Sequence, residues 1–359
     1  MITEKKSNSL INVNNYVSTE NILPNREGIN FPAKSLPRIS KISSYQKNDI
    51  LISNIRPYFK KIWFSDRDGV RSNDVLAFRT KNSNILLQKY LYLVLQSDKF
   101  FDYVTLTSKG TKMPRGDKDA IYDFTFDVPS ISIQKKLINY FFVIESKIKL
   151  NNLINDNLLE FISSIWKKQS SDIHNKITLK RLAKRIITGK TPSTKIKENY
   201  GIDIPFVKIP DMHNKIFIDE TSQNLSIFGA NSQKNKYVPK NSIIVSCIGT
   251  PGLVSLIGRT VQTNQQINSL ILDNKYIYCT YLELKSLKYK IRNLGSGGTT
   301  IQNLNKTNFG NIKITVPNKD SQLDNFNRIA KPIFERIHVN NIELQNLVKI
   351  KEVLLGQYF

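Results

Sequence analysis

The stretch Asn48-Asp49-Ile50-Leu51-Ile52-Ser53 returns about 190 residues later as Asn241-Ser242-Ile243-Ile244-Val245-Ser246. A polar turn followed by branched apolar residues is typical of a buried strand. Further matches recur at a constant offset of 188 residues: Gly110-Thr111 with Gly298-Thr299, Val128-Pro129 with Val316-Pro317, and Gln134 with Gln322. A period this long that occurs only twice indicates a duplicated domain rather than a solenoid. We therefore predict two related globular domains in one chain.

A long amphipathic helix is predicted after each domain, because apolar residues step by fours and threes along a heptad seam. The first helix runs from Ile131 to about Lys168, roughly 57 Å at 1.5 Å per residue. Its seam contains Leu137, Phe141, Ile144, Ile148, Asn151, Leu158 and Ile162. The second seam contains Ile333, Ile337, Asn340, Leu344 and Leu347. A polar residue inside a seam penalises wrong registers, although chance placement explains Asn151 and Asn340 equally well in a chain rich in Asn.

The predicted fold is α+β: two mixed α/β domains in a pseudo-twofold repeat, separated by two long antiparallel helices that act as a ruler. The predicted segments are domain 1 at residues 1–130, helix 1 at 131–175, domain 2 at 176–318 and helix 2 at 319–359. Strands are expected at 50–53, 123–128, 204–209, 243–248 and 311–316, and helical stretches at 86–101 and 278–294. Ser132 and Asp320 are the expected N-caps, and Pro332 should kink or restart the second helix.

Positive charge is concentrated in the two domains. The chain carries a formal net charge of +24 with a pI of about 9.8. Residues 1–130 hold 20 Lys and Arg against 13 Asp and Glu, and residues 176–318 hold 21 against 7, whereas the helices are nearly neutral. A general bias towards Lys would have made the helices basic too. The pattern therefore predicts a polyanionic partner, most simply double-stranded DNA.

Several classes of protein are disfavoured by the sequence. Two cysteines form no disulfide framework, and neither a signal peptide nor a membrane span is recognisable, so a reduced, cytoplasmic setting without membrane contact is expected.

Thr188-Gly189-Lys190-Thr191 resembles the end of a phosphate-binding loop, but Lys184 stands where its first glycine should be. His174, His213 and His338 have no metal-ligand spacing. We predict a reader of DNA with no catalytic residues, no metal and no cofactor of its own.

The predicted DNA-binding residues are cations, amides and hydroxyls near turns. Lys and backbone amides suit phosphates, while Arg, Gln and Asn can present paired hydrogen bonds to base edges. In domain 1 they are Arg56, Lys60, Lys61, Arg67, Arg71, Lys109, Lys112 and Arg115. In domain 2 they are Lys190, Thr191, Ser193, Lys234, Lys236, Arg259, Gln265, Gln266, Thr299, Thr300 and Gln302. Any single one of them is also compatible with a solvated side chain, so the prediction depends on the set.

The chain resembles the specificity subunit of type I restriction-modification systems over essentially its whole length. The resemblance depends on the order of several motifs, repeated and followed each time by a helix. The motifs in the first half are Asn15 to Ile22, Asp49 to Tyr58, Ser72-Asn73-Asp74 and Lys109 to Pro114. Those in the second half are Thr188 to Ser193 and Gly298 to Leu304.

This resemblance implies two target-recognition domains, each reading one half of a split DNA sequence. It also implies an antiparallel pair of conserved helices that dock two methyltransferase subunits, which carry S-adenosylmethionine, with restriction subunits able to join. The chain departs from the family pattern in two places. Ile133-Gln134 and Ser321-Gln322 lack the family's Glu before Gln, and domain 1 has no counterpart of Leu182 to Ser193.

Three alternatives remain open at the level of sequence. The chain is compatible with a shortened or silent specificity subunit, because of the short start of domain 1. It is also compatible with a basic coiled-coil scaffold that binds RNA or acidic proteins. A nuclease or methyltransferase with unrecognised motifs is the third, and activity of the purified chain on DNA would identify it.

Overall fold

The computed structural model describes residues 1–2, 5–7, 11–37, 41–173, 175–294 and 304–359, with only the backbone of 5–7 and 41. The predicted site residues Thr299, Thr300 and Gln302, and His174, lie outside these ranges. The chain divides into two compact units. Unit 1 comprises Met1–Ile148 with Leu347–Phe359, and unit 2 comprises Lys149–Asn346. Each unit thus contains one part of each long helix.

The described residues of unit 1 form two small sheets and three short helices. Its strands are β1 (Lys5–Ser7), β2 (Tyr16–Val17), β3 (Lys41–Tyr45), β4 (Ile50–Ser53), β5 (Ile62–Phe64), β6 (Gly69–Arg71) and β7 (Val75–Phe78). Its helices are α1 (Gln88–Gln96), α2 (Asp98–Leu106), α3 (Lys118–Asp123) and the first part of α4 (Ile131–Ser170). The strand orders are β1-β3-β6-β2 and β5-β4-β7.

The part of unit 2 that the structure describes forms three sheets. Its strands are β8 (Lys176–Thr178), β9 (Arg185–Thr188), β10 (Tyr200–Gly201), β11 (Ile204–Val207), β12 (Phe217–Ile218), β13 (Asn224–Leu225), β14 (Ile243–Ser246), β15 (Val254–Ile257), β16 (Gln262–Thr263), β17 (Ile267–Ile271) and β18 (Lys313–Thr315). Its helices are α5 (Leu179–Leu182), α6 (Ile209–Met212), α7 (Ile227–Asn231), α8 (Ile277–Ser286), α9 (Lys288–Leu294), α10 (Lys306–Gly310) and the first part of α11 (Asp320–Tyr358). The strand orders are β12-β15-β14-β17-β9, β10-β13-β11-β16 and β18-β8.

The two copies of the repeated strand motif occupy the same place in their sheets. β4 lies between β5 and β7, and β14 lies between β15 and β17, with antiparallel pairing throughout. A parallel pair, β2 with β6, likewise matches β11 with β16. Ile50 and Leu51 are fully buried, as are Ile243 and Ile244, because both faces of each central strand are covered. The predicted fold of two mixed α/β domains is confirmed.

The edge of the central sheet differs between the units. In unit 2, β9 borders β17, and Ile187 lies opposite Ser269. At the equivalent position of unit 1, Ile2 donates its backbone N–H to the carbonyl of Ala77 at 2.8 Å. Ile2 therefore lies in unit 1 where β9 lies in unit 2.

The two long helices pack against each other through their seams. In unit 1, Phe141 of α4 contacts Phe359 just beyond α11, with ring centroids 5.7 Å apart. In unit 2, Trp166 of α4 contacts Phe326 of α11 at 4.8 Å. The start of α4 thus meets the end of α11, and the end of α4 meets the start of α11, as in an antiparallel pair. Every seam residue predicted from the sequence is buried or half-buried.

Polar groups inside the seam pair across the helices of unit 2. The Nδ2 of Asn340 donates to the Oδ1 of Asn155 at 3.0 Å, and the Nδ2 of Asn151 donates to Glu343 at 2.8 Å. Asn340 is buried with 1% exposure, so sliding one helix past the other would leave its amide unpaired. This pairing favours a registry role for the two asparagines over chance placement.

The strand predicted over residues 123–128 is wrong. α3 continues to Asp123, and the chain from Phe124 to Ser130 forms no strand. Phe124 and Phe126 stack on each other with centroids 6.2 Å apart and contact α1 through its buried residues. In unit 2 the corresponding segment forms β18 because β8 pairs with it. Within the described part of unit 1 no strand offers that pairing.

Helix boundaries also differ from the predictions. α4 begins at Ile131, so Ser132 lies inside it, and Asp320 is the first residue of α11 rather than its cap. α11 continues through Pro332, whose neighbours Phe334 and Ile337 are fully buried and hold the helix in place. Each helical stretch inside the domains is broken in two, the first at Ser97, whose Oγ caps α2.

Candidate nucleic-acid interface

The interface in unit 2 is built where β9 ends. Gly189 follows this strand and lies against the chain between β16 and β17, where a Cβ would come within 2.2 Å of the carbonyl of Thr263. Only glycine permits this approach. The next residue, Lys190, donates its backbone N–H to the same carbonyl at 3.0 Å. The contact brings Lys190 and Thr191 beside Gln265, and the Oγ1 of Thr191 donates to the Oε1 of Gln265 at 2.6 Å.

Two buried glutamine side chains hold the loop that contains Lys190 in place. The Nε2 of Gln233 donates to the carbonyl of Lys190 and to the Oε1 of Gln262, each at 2.8 Å. The Nε2 of Gln262 in turn donates to the carbonyl of Ala230 at 2.8 Å. Because Gln262 is fully buried, loss of any of these bonds would leave a desolvated amide without a partner. The exposed residues of the loop are therefore positioned by a network that sequence reasoning did not predict.

Four cations converge on this loop. The Nζ of Lys236 donates to the carbonyl of Thr188 at 2.9 Å. Burial lowers the pKa of Lys236, and the nearby charges of Lys306, Lys190 and Arg185 lower it further. A polyanion would relieve this mutual repulsion. We call Arg185, Lys190, Lys236 and Lys306 the cation cluster of unit 2.

Arg185 and Lys306 were not among the predicted residues. They lie on β9 and at the start of α10, far from Lys236 in sequence, so only the order of the strands brings them together. Lys234 lies exposed two residues before Lys236, and Ser193 lies exposed beyond Thr191. Within the described ranges no carboxylate forms an ion pair with a member of the cation cluster.

Arg259 does not join the cation cluster. It follows β15, whose Leu256 pairs with Ile243 at the start of β14. Gln266 instead precedes Ile267, which pairs with Ser246 at the end of β14. Arg259 and the glutamines therefore lie at opposite ends of the central strand. Arg67 of unit 1 occupies the corresponding turn after β5 and lies over the ring of Phe31 at 4.8 Å.

In unit 1, two loops pair at the end of β4. Ile55 and Lys109 both form bridges with Arg115, and the backbone N–H of Arg56 donates to the carbonyl of Pro114 at 2.8 Å. These bonds bring the exposed residues Arg56, Lys109, Lys112 and Arg115 of the predicted set into one pair of loops.

Several cations of unit 1, including four of its eight predicted DNA-binding residues, are paired with carboxylates. Ion pairs join Lys60 to Asp98 at 2.5 Å, Lys109 to Asp117 at 2.5 Å, Arg115 to Asp74 at 3.4 Å and Arg67 to Asp66 at 2.6 Å. Arg26 also binds Asp98. Partial burial opposes ionisation of Asp98, but hydrogen bonds from Lys60 and Arg26 prevail and lower its pKa. Among the described residues, neither Arg56 nor Lys112 has such a carboxylate partner.

Two predicted residues of unit 1 point inward. Arg71 is buried, with 5% exposure, and its guanidinium donates to the backbone carbonyls of Val75 and Ile2. Burial also lowers the pKa of Arg71. This side chain holds the sheet edge and is not exposed for DNA, so its assignment as a DNA contact is corrected. Lys61 is half-buried, and its Nζ donates to the carbonyl of Thr19 at 2.5 Å.

One turn is built identically in the two units. In unit 1 the backbone N–H of Ser72 donates to Val17 at 2.8 Å, and that of Val75 donates to Ser72 at 3.1 Å. In unit 2 the N–H of Asn264 donates to Val207 at 3.1 Å, and that of Ile267 donates to Asn264 at 3.2 Å. The side chains between these bonds are Asn73 and Asp74 in unit 1 and Gln265 and Gln266 in unit 2. We call these the reading turns.

The long helices carry a second repeated surface. Apolar residues of α4 remain exposed on the side away from the seam, and their equivalents 189 residues later on α11 are exposed as well. The matched pairs are Leu150 with Val339, Leu153 with Ile342, and Phe161 with Ile350, all between 42% and 57% exposed. We call these the two apolar stripes. Repeated exposed apolar residues are typical of a binding surface.

The remaining predictions concern metals and membranes. Among the described residues, no group of three or more His, Cys, Asp or Glu side chains is arranged to hold a metal ion. The Nε2 of His338 donates to the Oδ1 of Asp219 at 2.7 Å, and its ring stacks on Phe217, so His338 joins α11 to β12. No helix in the described ranges has the length and apolar character needed to cross a membrane.

A family model, two curated proteins and a solved structure all show similarity to type I specificity subunits. The family model of the Type I restriction modification DNA specificity domain matches residues 3–160 and again 174–350. The Type I restriction enzyme HindI specificity subunit of Haemophilus influenzae is 31% identical over 407 residues, covering 90% of this chain and 88% of that protein. The Type I restriction enzyme MjaIX specificity subunit of Methanocaldococcus jannaschii is 27% identical over 37% of this chain and 32% of its own. The crystal structure of a Type-I restriction-modification system S subunit from M. genitalium shares the fold, with a TM-score of 0.58 at 15% identity, covering 100% of this chain and 94% of that chain.

Proposed function

Because the chain belongs to the family of the Type I restriction modification DNA specificity domain, we propose that it is the DNA-recognition subunit of a type I restriction-modification complex. Each recognition domain reads one half of a bipartite DNA site. The observation that supports this most strongly is the reading turn, which has the same backbone in both units, different polar side chains, and exposed cations nearby. Phosphate contacts from those cations supply affinity, and the turns supply sequence.

Salt dependence of binding tests this proposal. If roughly 6–10 phosphates are contacted, affinity for duplex DNA should fall by about 10³- to 10⁵-fold between 50 and 200 mM salt. The measurement is fluorescence anisotropy of a labelled random-sequence duplex with the full chain. Structured RNA of equal length is the competitor. Equal competition by RNA would favour the alternative of a basic scaffold, and a flat salt response would contradict both.

We further propose that the two apolar stripes dock two copies of one methyltransferase subunit. The stripes repeat at equivalent positions of α4 and α11, and two equivalent apolar surfaces suit two copies of one partner. Restriction subunits would join the same assembly through their own contacts. S-adenosylmethionine would be bound by the methyltransferase subunits, so the chain itself supplies no catalytic group.

Single substitutions in one stripe distinguish this arrangement. Leu153→Asp should remove one methyltransferase copy and leave the other, because a charge at the centre of an apolar interface is costly to bury. Ile342→Asp should do the same for the other copy, and the double variant should bind none. Native mass spectrometry counts the copies, and Asn152→Asp, at an exposed polar position of α4 outside the apolar stripe, is the matched control. Loss of both copies from either single variant would contradict separate docking surfaces.

A further inference from the structure

The two glutamines of the unit 2 reading turn have their amide oxygens already bound to the protein. We propose that Gln265 and Gln266 read base edges that carry hydrogen-bond acceptors, guanine foremost, in the half-site bound by the second recognition domain. The inference rests on the proposed function and specifies the chemistry of one of its two sites.

Gln266 is oriented by Asn264, a residue with only 8% exposure. The Oδ1 of Asn264 accepts from the backbone N–H of Gln266 at 3.1 Å, and its Nδ2 donates to the Oε1 of Gln266 at 2.9 Å. Asn264 is held in turn by its own backbone N–H, which donates to Val207. A nearly buried side chain therefore fixes the amide of Gln266 with its oxygen towards the protein, and its amino group has no hydrogen-bond partner among the described residues.

Gln265 is oriented in the same sense by a different residue. Its Oε1 accepts a hydrogen bond from the hydroxyl of Thr191 at 2.6 Å. Thr191 lies in the loop that packs against the Thr263 backbone, which is possible because Gly189 has no Cβ. Gln265 itself is exposed. Two adjacent side chains thus have their amide oxygens held by the protein, and the exposed Lys190 lies next to Thr191 in the same loop.

The arrangement of donors selects among the bases. In the major groove guanine offers two adjacent acceptors, O6 and N7, whereas adenine pairs an acceptor with a donor and cytosine offers a donor. A glutamine that reads adenine must use its oxygen and its amino group together. Here each oxygen already accepts a hydrogen bond from the protein, whereas the amino groups have no partner among the described residues, so these two donors match guanine best. Thymine, with a single acceptor at O4, is the weaker match.

The unit 1 reading turn carries the opposite chemistry on the same backbone. Asp74 presents a carboxylate, which only accepts hydrogen bonds when ionised, and Arg115 lies 3.4 Å from it. Packing does not require this difference, because the backbone bonds of both turns are the same. Different polar groups at one repeated position are expected of residues that read different bases.

The experiment is selection of bound sequences from a random duplex library by the full chain assembled with its methyltransferase partners. The wild type should enrich guanine at one or two adjacent positions of one half-site. Gln265→Glu and Gln266→Glu exchange the outward amino group for an acceptor at nearly the same shape. Each should reduce the preference for guanine by about 5- to 150-fold and favour cytosine, whose N4 is a donor, leaving the other half-site unchanged. Gln322→Glu, an exposed glutamine at the start of α11, is the matched control.

Modified bases check the contact on the selected duplex. Replacing guanine at the assigned position by 7-deazaguanine removes the N7 acceptor and should weaken binding, while inosine, which keeps O6 and N7, should bind as guanine does. Selection of adenine at that position, or the same enriched sequence from the Glu variants as from the wild type, would overturn the inference and leave the proposed function standing. Failure to enrich any bipartite sequence would overturn both.

Discussion

The two units present their cations differently although they share a fold. In unit 1 Lys60, Lys109 and Arg115 are paired with carboxylates, whereas the cation cluster of unit 2 has no such partner among the described residues. An ion pair must open before its cation can contact a phosphate, so a paired cation contributes less to DNA binding. Unpaired cations that repel one another gain the most when DNA neutralises them. The comparison implies that unit 2 supplies most of the salt-dependent affinity.

The largest effect is expected from the cation cluster of unit 2. Lys190→Ala combined with Lys236→Ala should reduce affinity for duplex DNA by roughly 10- to 100-fold at 0.1 M salt, and should lower the slope of log affinity against log salt by about 2. Lys60→Ala combined with Lys109→Ala in unit 1 is the matched pair and should change that slope by less than half as much. Equal changes from the two pairs would contradict the comparison.

An intermediate effect is expected from Arg56 and Lys112, two exposed cations of unit 1 that have no carboxylate partner among the described residues. Arg56→Ala and Lys112→Ala should each lower the salt slope by about 1, as for one phosphate contact. Arg71→Ala should leave the slope unchanged and lower the free energy of unfolding instead, because its buried guanidinium binds two carbonyls. Anisotropy titrations and urea unfolding separate the two outcomes. A changed salt slope in Arg71→Ala would contradict the buried role and show that Arg71 contacts DNA.

The smallest effect concerns Asp98. Its pKa is lowered in the folded chain because Lys60 and Arg26 donate to it, although partial burial acts in the other direction. Its ionised form therefore stabilises the fold above the usual Asp pKa of about 3.9, and this contribution is lost as pH falls through the lowered value. Asp98→Asn should remove that part of the acid dependence of the urea midpoint, and should strengthen DNA binding a few-fold by freeing two cations. Asp102→Asn, exposed on the same helix, should do neither.

The fold was predictable where the signal was local and repeated. The copies of the central strand and the two heptad seams were identified because apolar spacing alone specifies them. The segment 123–128 was misassigned because a strand exists only where a partner strand is present, and β8 has no counterpart in the described part of unit 1. Pro332 was expected to break α11, but the buried residues around it outweigh the lost backbone hydrogen bond.

The candidate interface was predictable only in part. Lys190 and Thr191 could be predicted because a turn sequence with a cation is visible in the chain. Arg185 and Lys306 did not, since the sheet brings together residues far apart in sequence. Arg71 was assigned to the surface because the sequence of a strand does not show whether its cation faces solvent or binds backbone carbonyls. The hydrogen bond from Asn264 to Gln266 could not be predicted either, because it depends on the geometry of the turn.

Exchange of one recognition domain tests the central claim most directly. Residues 176–318 would be replaced by the corresponding segment of a relative, and methylated sequences in host DNA would be mapped with each version of the chain. The account predicts that one half of the bipartite sequence changes, while the other half and the number of bases between them stay the same. A sequence altered in both halves at once would contradict the claim that each domain reads its own half.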